Sequence, residues 1–69
     1  MAQRRSYQAM LARPESLARV RAAQRVIEQA GGKVETRQTG TPGLVAVTIL
    51  LPAPYTPEQF VPGIPFFPD

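Results

Sequence analysis

Pro14-Glu15-Ser16-Leu17-Ala18-Arg19-Val20-Arg21-Ala22-Ala23-Gln24-Arg25-Val26-Ile27-Glu28-Gln29-Ala30-Gly31-Gly32 is the stretch that decides the fold of this chain. Leu17, Val20, Ala23, Ile27 and Ala30 recur at spacings of three and four, which draws one apolar stripe along a helix. Arg21, Gln24, Arg25 and Glu28 gather on the opposite side, with Arg25 and Glu28 an i,i+3 pair. Proline fits the first helical turn, where its missing N–H costs nothing, and Glu15 beside it complements the positive end of the helix dipole. Gly31-Gly32 ends the helix, because glycine enters the left-handed cap conformation without a steric penalty. A helix over 14–30 with a single apolar stripe needs a sheet or another helix to cover that stripe.

The residues on either side supply strands. Ser6-Tyr7-Gln8-Ala9-Met10-Leu11 alternates with period two and puts Tyr7, Ala9 and Leu11 on one face, although Ala9 and Met10 also suit a helix. Lys33-Val34-Glu35-Thr36-Arg37-Gln38 alternates with few apolar residues, as an edge strand does when its charges discourage unwanted pairing. Thr39-Gly40-Thr41-Pro42-Gly43 is a turn by composition. Leu44 to Leu51 is apolar on both faces and rich in β-branched residues, which predicts a central strand. The chain then changes character, with six of its eight prolines after residue 51. Thr56-Pro57-Glu58-Gln59-Phe60 has the cap, proline and acid of a single helical turn. Ile64-Pro65-Phe66-Phe67-Pro68-Asp69 is extended, because each residue before a proline is pushed out of the helical region. Such a segment belongs at a sheet edge or in a free tail. The order predicts an α+β fold of the ferredoxin-like split βαβ type, β-α-β-β, with a vestigial second helix and an extended C-terminal strand or tail. Residues 1–51 form the expected βαββ core. Residues 52–69 form a Pro-rich segment packing on that core or extending it.

Composition bounds the function. With 69 residues, about 60% of the unfolded chain's surface can be buried, so one small core must use every strand. There is no cysteine and no histidine, which excludes disulfides, thiolate chemistry and a zinc site of the usual ligands. Residues 1–33 carry seven Lys/Arg against two Glu, and residues 34–69 carry one Arg against three acids. Arg4, Arg5, Arg21 and Arg25 are therefore a candidate basic patch, weighed against the plainer reading of a solvated helix face and terminus. No apolar stretch of signal-peptide length follows Met1, and Leu44–Leu51 is far shorter than a membrane helix, so a cytoplasmic protein is expected.

Read together, the segments resemble the propeptide domain of subtilisin-type serine proteases and its free-standing inhibitor relatives. The matching pieces are Tyr7-Gln8-Ala9-Met10-Leu11, Ala30-Gly31-Gly32-Lys33-Val34, Gly43-Leu44-Val45-Ala46-Val47 with Leu51-Pro52, and Val61-Pro62-Gly63-Ile64 leading to Pro68-Asp69. The resemblance implies that the outer face of a four-stranded sheet packs on two protease helices. It also implies that Phe66, Phe67, Pro68 and Asp69 lie in the substrate cleft as a product-like strand, with Phe66 in an apolar pocket. Ile64, at the head of the tail, joins these as a candidate partner-binding residue. The chain departs from the family in its one-turn second helix and in Asp69, where most subtilisins prefer an apolar group.

Catalysis is not expected. Glu15 and Glu28 sit at opposite ends of the helix and Glu35 and Glu58 lie on other elements, so no carboxylate pair shares a cleft. Gly40-Thr41-Pro42-Gly43 lacks the Lys-Ser/Thr that follows a phosphate-binding loop, and no cofactor or metal is expected. An RNA-binding sheet stacks bases on aromatics, but the expected central strands carry only Tyr7, so RNA binding, through the basic helix, ranks behind the protein-binding readings as a third alternative. Two readings of the aromatic tail stay open: Phe60 and Phe66 close the domain's own core, or the pre-extended segment docks on a partner. The expectation is a non-catalytic protein-binding module, first as an inhibitor or chaperone of a serine protease. The alternative is a small adaptor or accessory subunit of a larger complex. A sheet covered on one side only makes self-association a further alternative.

Overall fold

The computed structural model describes residues 4–68. The elements are β1 (Arg4–Leu11), α1 (Pro14–Gln29), β2 (Lys33–Gln38), β3 (Val45–Pro52), α2 (Pro57–Phe60) and β4 (Phe67–Pro68). The four strands form one sheet in the order β2-β3-β1-β4, and every neighbouring pair is antiparallel. This is the split βαβ arrangement: α1 carries the chain from β1 across to β2, and β3 returns between them. Ser6–Leu11 is strand, not helix, and it extends back to Arg4.

The helix ends as its two glycines require. Gly32 N–H donates to the Ile27 carbonyl (2.9 Å) and Gly31 N–H to the Glu28 carbonyl (3.0 Å), the paired bonds of a Schellman cap. Gly31 has φ +93°, in the left-handed region that glycine favours. Gly32 is needed for a different reason. A Cβ there would lie 2.5 Å from the Leu50 carbonyl oxygen and 2.8 Å from Ile27 Cγ2, so the chain passes against β3 only because no side chain intervenes.

One apolar layer joins helix and sheet. Ala9 and Leu11 of β1, Val47, Ile49 and Leu51 of β3, and Val20 and Ile27 of α1 are buried together, with Leu17, Ala23 and Val34 packed at the margin. Val20, Ile27, Val47, Ile49 and Leu51 are fully enclosed, and burying each such side chain contributes about 1.5–3 kcal/mol. Because side chains alternate along a strand, the odd-numbered residues of β1 and β3 face α1 and the even-numbered ones face away.

The turn into β3 and the closing segment follow from local chemistry. Thr41 N–H donates to Thr39 Oγ1 (3.1 Å), and that hydroxyl donates to the Leu44 carbonyl (2.9 Å), while Gly43 takes φ +80°. At α2 the Gln59 side chain accepts from Thr56 N–H (3.3 Å), which caps a helix of a single turn. Pro57, Val61 and Ile64 are buried, and Phe60 and Phe66 pack on the core, so residues 52–68 close the apolar layer that residues 4–51 begin. Tyr55 and Phe60 meet at the rim with their rings tilted 55° to each other, the ring centroids 5.7 Å apart.

Prolines set the length of β4. Tyr7 pairs with Pro68 and Gln8 with Phe67. Pro68 has no N–H, so the pair that can exchange two hydrogen bonds is Gln8–Phe67. Continuing the register would set Met10 opposite Pro65, which also lacks an N–H, and there the ladder stops.

Candidate functional site

Among the described residues, helix covers one face of the sheet and leaves the other open. The other is built from cross-strand rows that the register dictates: Phe67–Gln8–Thr48–Glu35, Met10–Ala46–Arg37, and Ser6–Leu50–Lys33, with Arg4 opposite Pro52 at the end. Met10 is 64% and Phe67 67% exposed, although both are apolar. Gln8, Met10, Ala46, Pro65 and Phe67 line a shallow concavity of about 310 Å³ between β1 and the start of β4. Pro65 produces that hollow, since the ladder it interrupts leaves the β1 edge uncovered beside Met10.

The charge on this face is mostly basic. Lys33 Nζ lies 3.1 Å from Glu35 Oε1, and both side chains are exposed. Arg4 and Arg37 share the face without an acidic partner among the described residues. The site is therefore an apolar centre of Met10, Ala46, Leu50 and Phe67 flanked by guanidinium and ammonium groups.

The tail residues fall in three different places. Ile64 is 8% exposed and belongs to the core, so the structure removes it from the surface on which the sequence reading placed it. Phe66 packs half-buried against the same core, as the reading that the domain closes on its own aromatics expects. Phe67 and Pro68 are exposed in β4, with Phe67 on the open face. Asp69 lies outside the described residues. The physical cause is the pleat: pairing with β1 commits alternate tail residues to opposite faces, so one aromatic turns inward and its neighbour outward.

The four arginines of the candidate basic patch are also divided. Arg21 and Arg25 are exposed on α1. Arg5 shares the helix-facing side of β1 with Tyr7 and lines a hollow with Tyr55 and Thr56, whereas Arg4 points to the open face. The sheet lies between Arg4 and the helix arginines, so the four do not form one continuous surface.

Among the described residues no cluster of His, Cys, Asp or Glu could hold a metal ion. Glu15 and Glu28 are separated by about 20 Å along α1 at 1.5 Å per residue. No helix is long and apolar enough to cross a membrane among the described residues. Sequence reasoning missed Met10 and Pro65 as parts of the open-face site, and Arg19 as a tether for the closing segment. Alternation along Ser6–Leu11 already placed Met10 opposite the core face; Arg19 had no local signal. Comparison with protein-family models, with curated proteins and with solved structures finds no match to this chain.

Proposed function

We propose that this protein is a non-catalytic protein-binding module that engages its partner through the open face of the sheet. The observation that carries the reading is the pair Met10 and Phe67, two large apolar side chains left mostly exposed around one hollow on the side that α1 does not cover. Exposed apolar groups gathered on one face of a small domain mark contact surfaces, and an aromatic seated in a partner's pocket commonly dominates such an interface. Lys33, Arg37 and Arg4 around this centre favour a partner whose complementary surface is acidic.

The resemblance to subtilisin propeptides supplies the first partner to try, a serine protease of that type, because there the same face of the sheet meets two protease helices. Phe66 against the core and Phe67 and Pro68 in the ladder support contact by the face rather than by a free tail. That placement favours, as a second reading, an accessory subunit whose partner is not a protease.

The test is inhibition and equilibrium binding of a subtilisin by the folded protein, with M10A and F67A as variants. The protease reading expects tight inhibition that either variant weakens about thirtyfold or more, as loss of an anchoring side chain does. No inhibition at micromolar concentration overturns the protease as partner. A stable complex isolated with a non-protease partner and weakened by the same two substitutions establishes the accessory-subunit reading. Partner binding indifferent to Met10 and Phe67 overturns the open face as the site.

A further inference from the structure

From the edge strand β2 we infer that the protein self-associates by pairing β2 with β2 of a second copy, antiparallel about a two-fold axis, to make one continuous eight-stranded sheet. The surface differs from the open-face hollow and leaves Met10 and Phe67 free. Among the described residues β2 pairs with β3 on one side only, and its other side forms the edge of the sheet across residues 33–38. All six residues but Val34 are exposed, and the strand is neither bulged nor interrupted by proline.

The side-chain pattern selects the occupant. In an antiparallel two-fold pairing, residues on the same face sit opposite each other, so the two residue numbers in each pair share a parity. Centring the axis on Thr36 overlaps residues 34–38 of both copies. Glu35 then meets Arg37 of the second copy, and Arg37 meets its Glu35, on the open face. Thr36 meets Thr36, and Val34 meets Gln38, on the helix face. Two opposite-charge pairs and a threonine pair are among the favourable cross-strand combinations.

Neighbouring registers lose this match. Centred on Glu35, the strands bring Glu35 against Glu35 and Lys33 against Arg37, all like charges. Centred on Arg37, they bring Arg37 against Arg37. Centred on Val34, they pair Lys33 with Glu35 but overlap only residues 33–35. The charges that discourage indiscriminate pairing of this edge therefore leave one long register open, and its complement is the edge itself. Arg37 also gains the acidic partner that it lacks among the described residues.

Sedimentation velocity of the full chain, from low micromolar to near-millimolar concentration, provides the test, with circular dichroism confirming that each variant is folded. Wild type is expected to dimerise, less strongly as salt is raised. E35R sets Arg against Arg, and R37E sets Glu against Glu. Each alone should weaken the dimer about tenfold or more, as two favourable pairs become two unfavourable ones. Mixing E35R with R37E makes every pair complementary, and the double variant E35R/R37E does the same within a single chain, so both should restore dimerisation. If either single variant fails to fold, the double variant carries the test. A wild type monomeric at every concentration overturns the inference. So does a dimer unaffected by E35R and R37E, or a loss that neither the mixture nor the double variant repairs.

Discussion

The Arg19 guanidinium donates to the carbonyl oxygen of Pro62, a residue 43 positions further along the chain. The bond ties the segment after α2 to α1, and α2 itself is a single turn. Gly63 follows at φ +88°, and a Cβ there would come within 3.6 Å of the same guanidinium, so turn and tether fit around each other.

Removing this tether should loosen the closing segment. R19A is expected to cost about 1 kcal/mol, since the bond is charge-assisted but exposed. Urea unfolding followed by far-UV circular dichroism measures the loss. Hydrogen exchange at Val61 N–H, which bonds Pro57, should accelerate more than exchange in β3.

The two glycines that end α1 should respond differently to alanine. G31A meets only Pro52 Cγ at 3.6 Å and suffers the left-handed backbone alone, about 1–2 kcal/mol. G32A drives a methyl group into the Leu50 carbonyl and Ile27, and should destabilise by more than 3 kcal/mol, enough to unfold a domain of this size. Equal losses in thermal unfolding would contradict this account of the helix end.

Adjacent aromatics in the tail should separate stability from binding. F66A removes a half-buried ring from the core and is expected to cost about 2 kcal/mol, less than a fully buried phenylalanine would. F67A should leave the unfolding free energy within about 0.5 kcal/mol of wild type while removing a large apolar side chain exposed on the open face.

Within α1, Val26 and Ile27 are neighbours with opposite environments. Ile27 is fully buried, so I27A should cost about 2–5 kcal/mol, whereas V26A at a half-exposed position should change stability by less than about 0.5 kcal/mol. Chemical denaturation of the pair checks the direction of the helical stripe.

Backbone and cap chemistry act over a few residues, and this level was open to reading. The 3.6-residue stripe from Leu17 to Ala30, the Gly31-Gly32 end, the two apolar faces of β3, the charged edge at β2 and the single turn at Pro57 all appear as their local patterns require. The boundaries shifted by a residue or two because pairing, rather than propensity, decides where a strand ends. Arg4 joins β1 through Pro52, and β3 begins at Val45 opposite Leu11.

What local pattern left undetermined was the side to which each residue of the Pro-rich segment turns. Sequence alone predicts an extended Ile64–Asp69 at an edge or in solution, and the structure makes strand of Phe67–Pro68. Only tertiary structure decides this: packing on the core buries Ile64 and tucks Phe66 inward, while pairing with Gln8, some sixty residues away in the chain, turns Phe67 outward. The same geometry separates Arg4 from Arg21 and Arg25, which charge counting had grouped together. Periodicity and capping are properties of neighbours along the chain, whereas burial and surface charge are properties of neighbours in space, and those exist once β4 has found its place on the sheet.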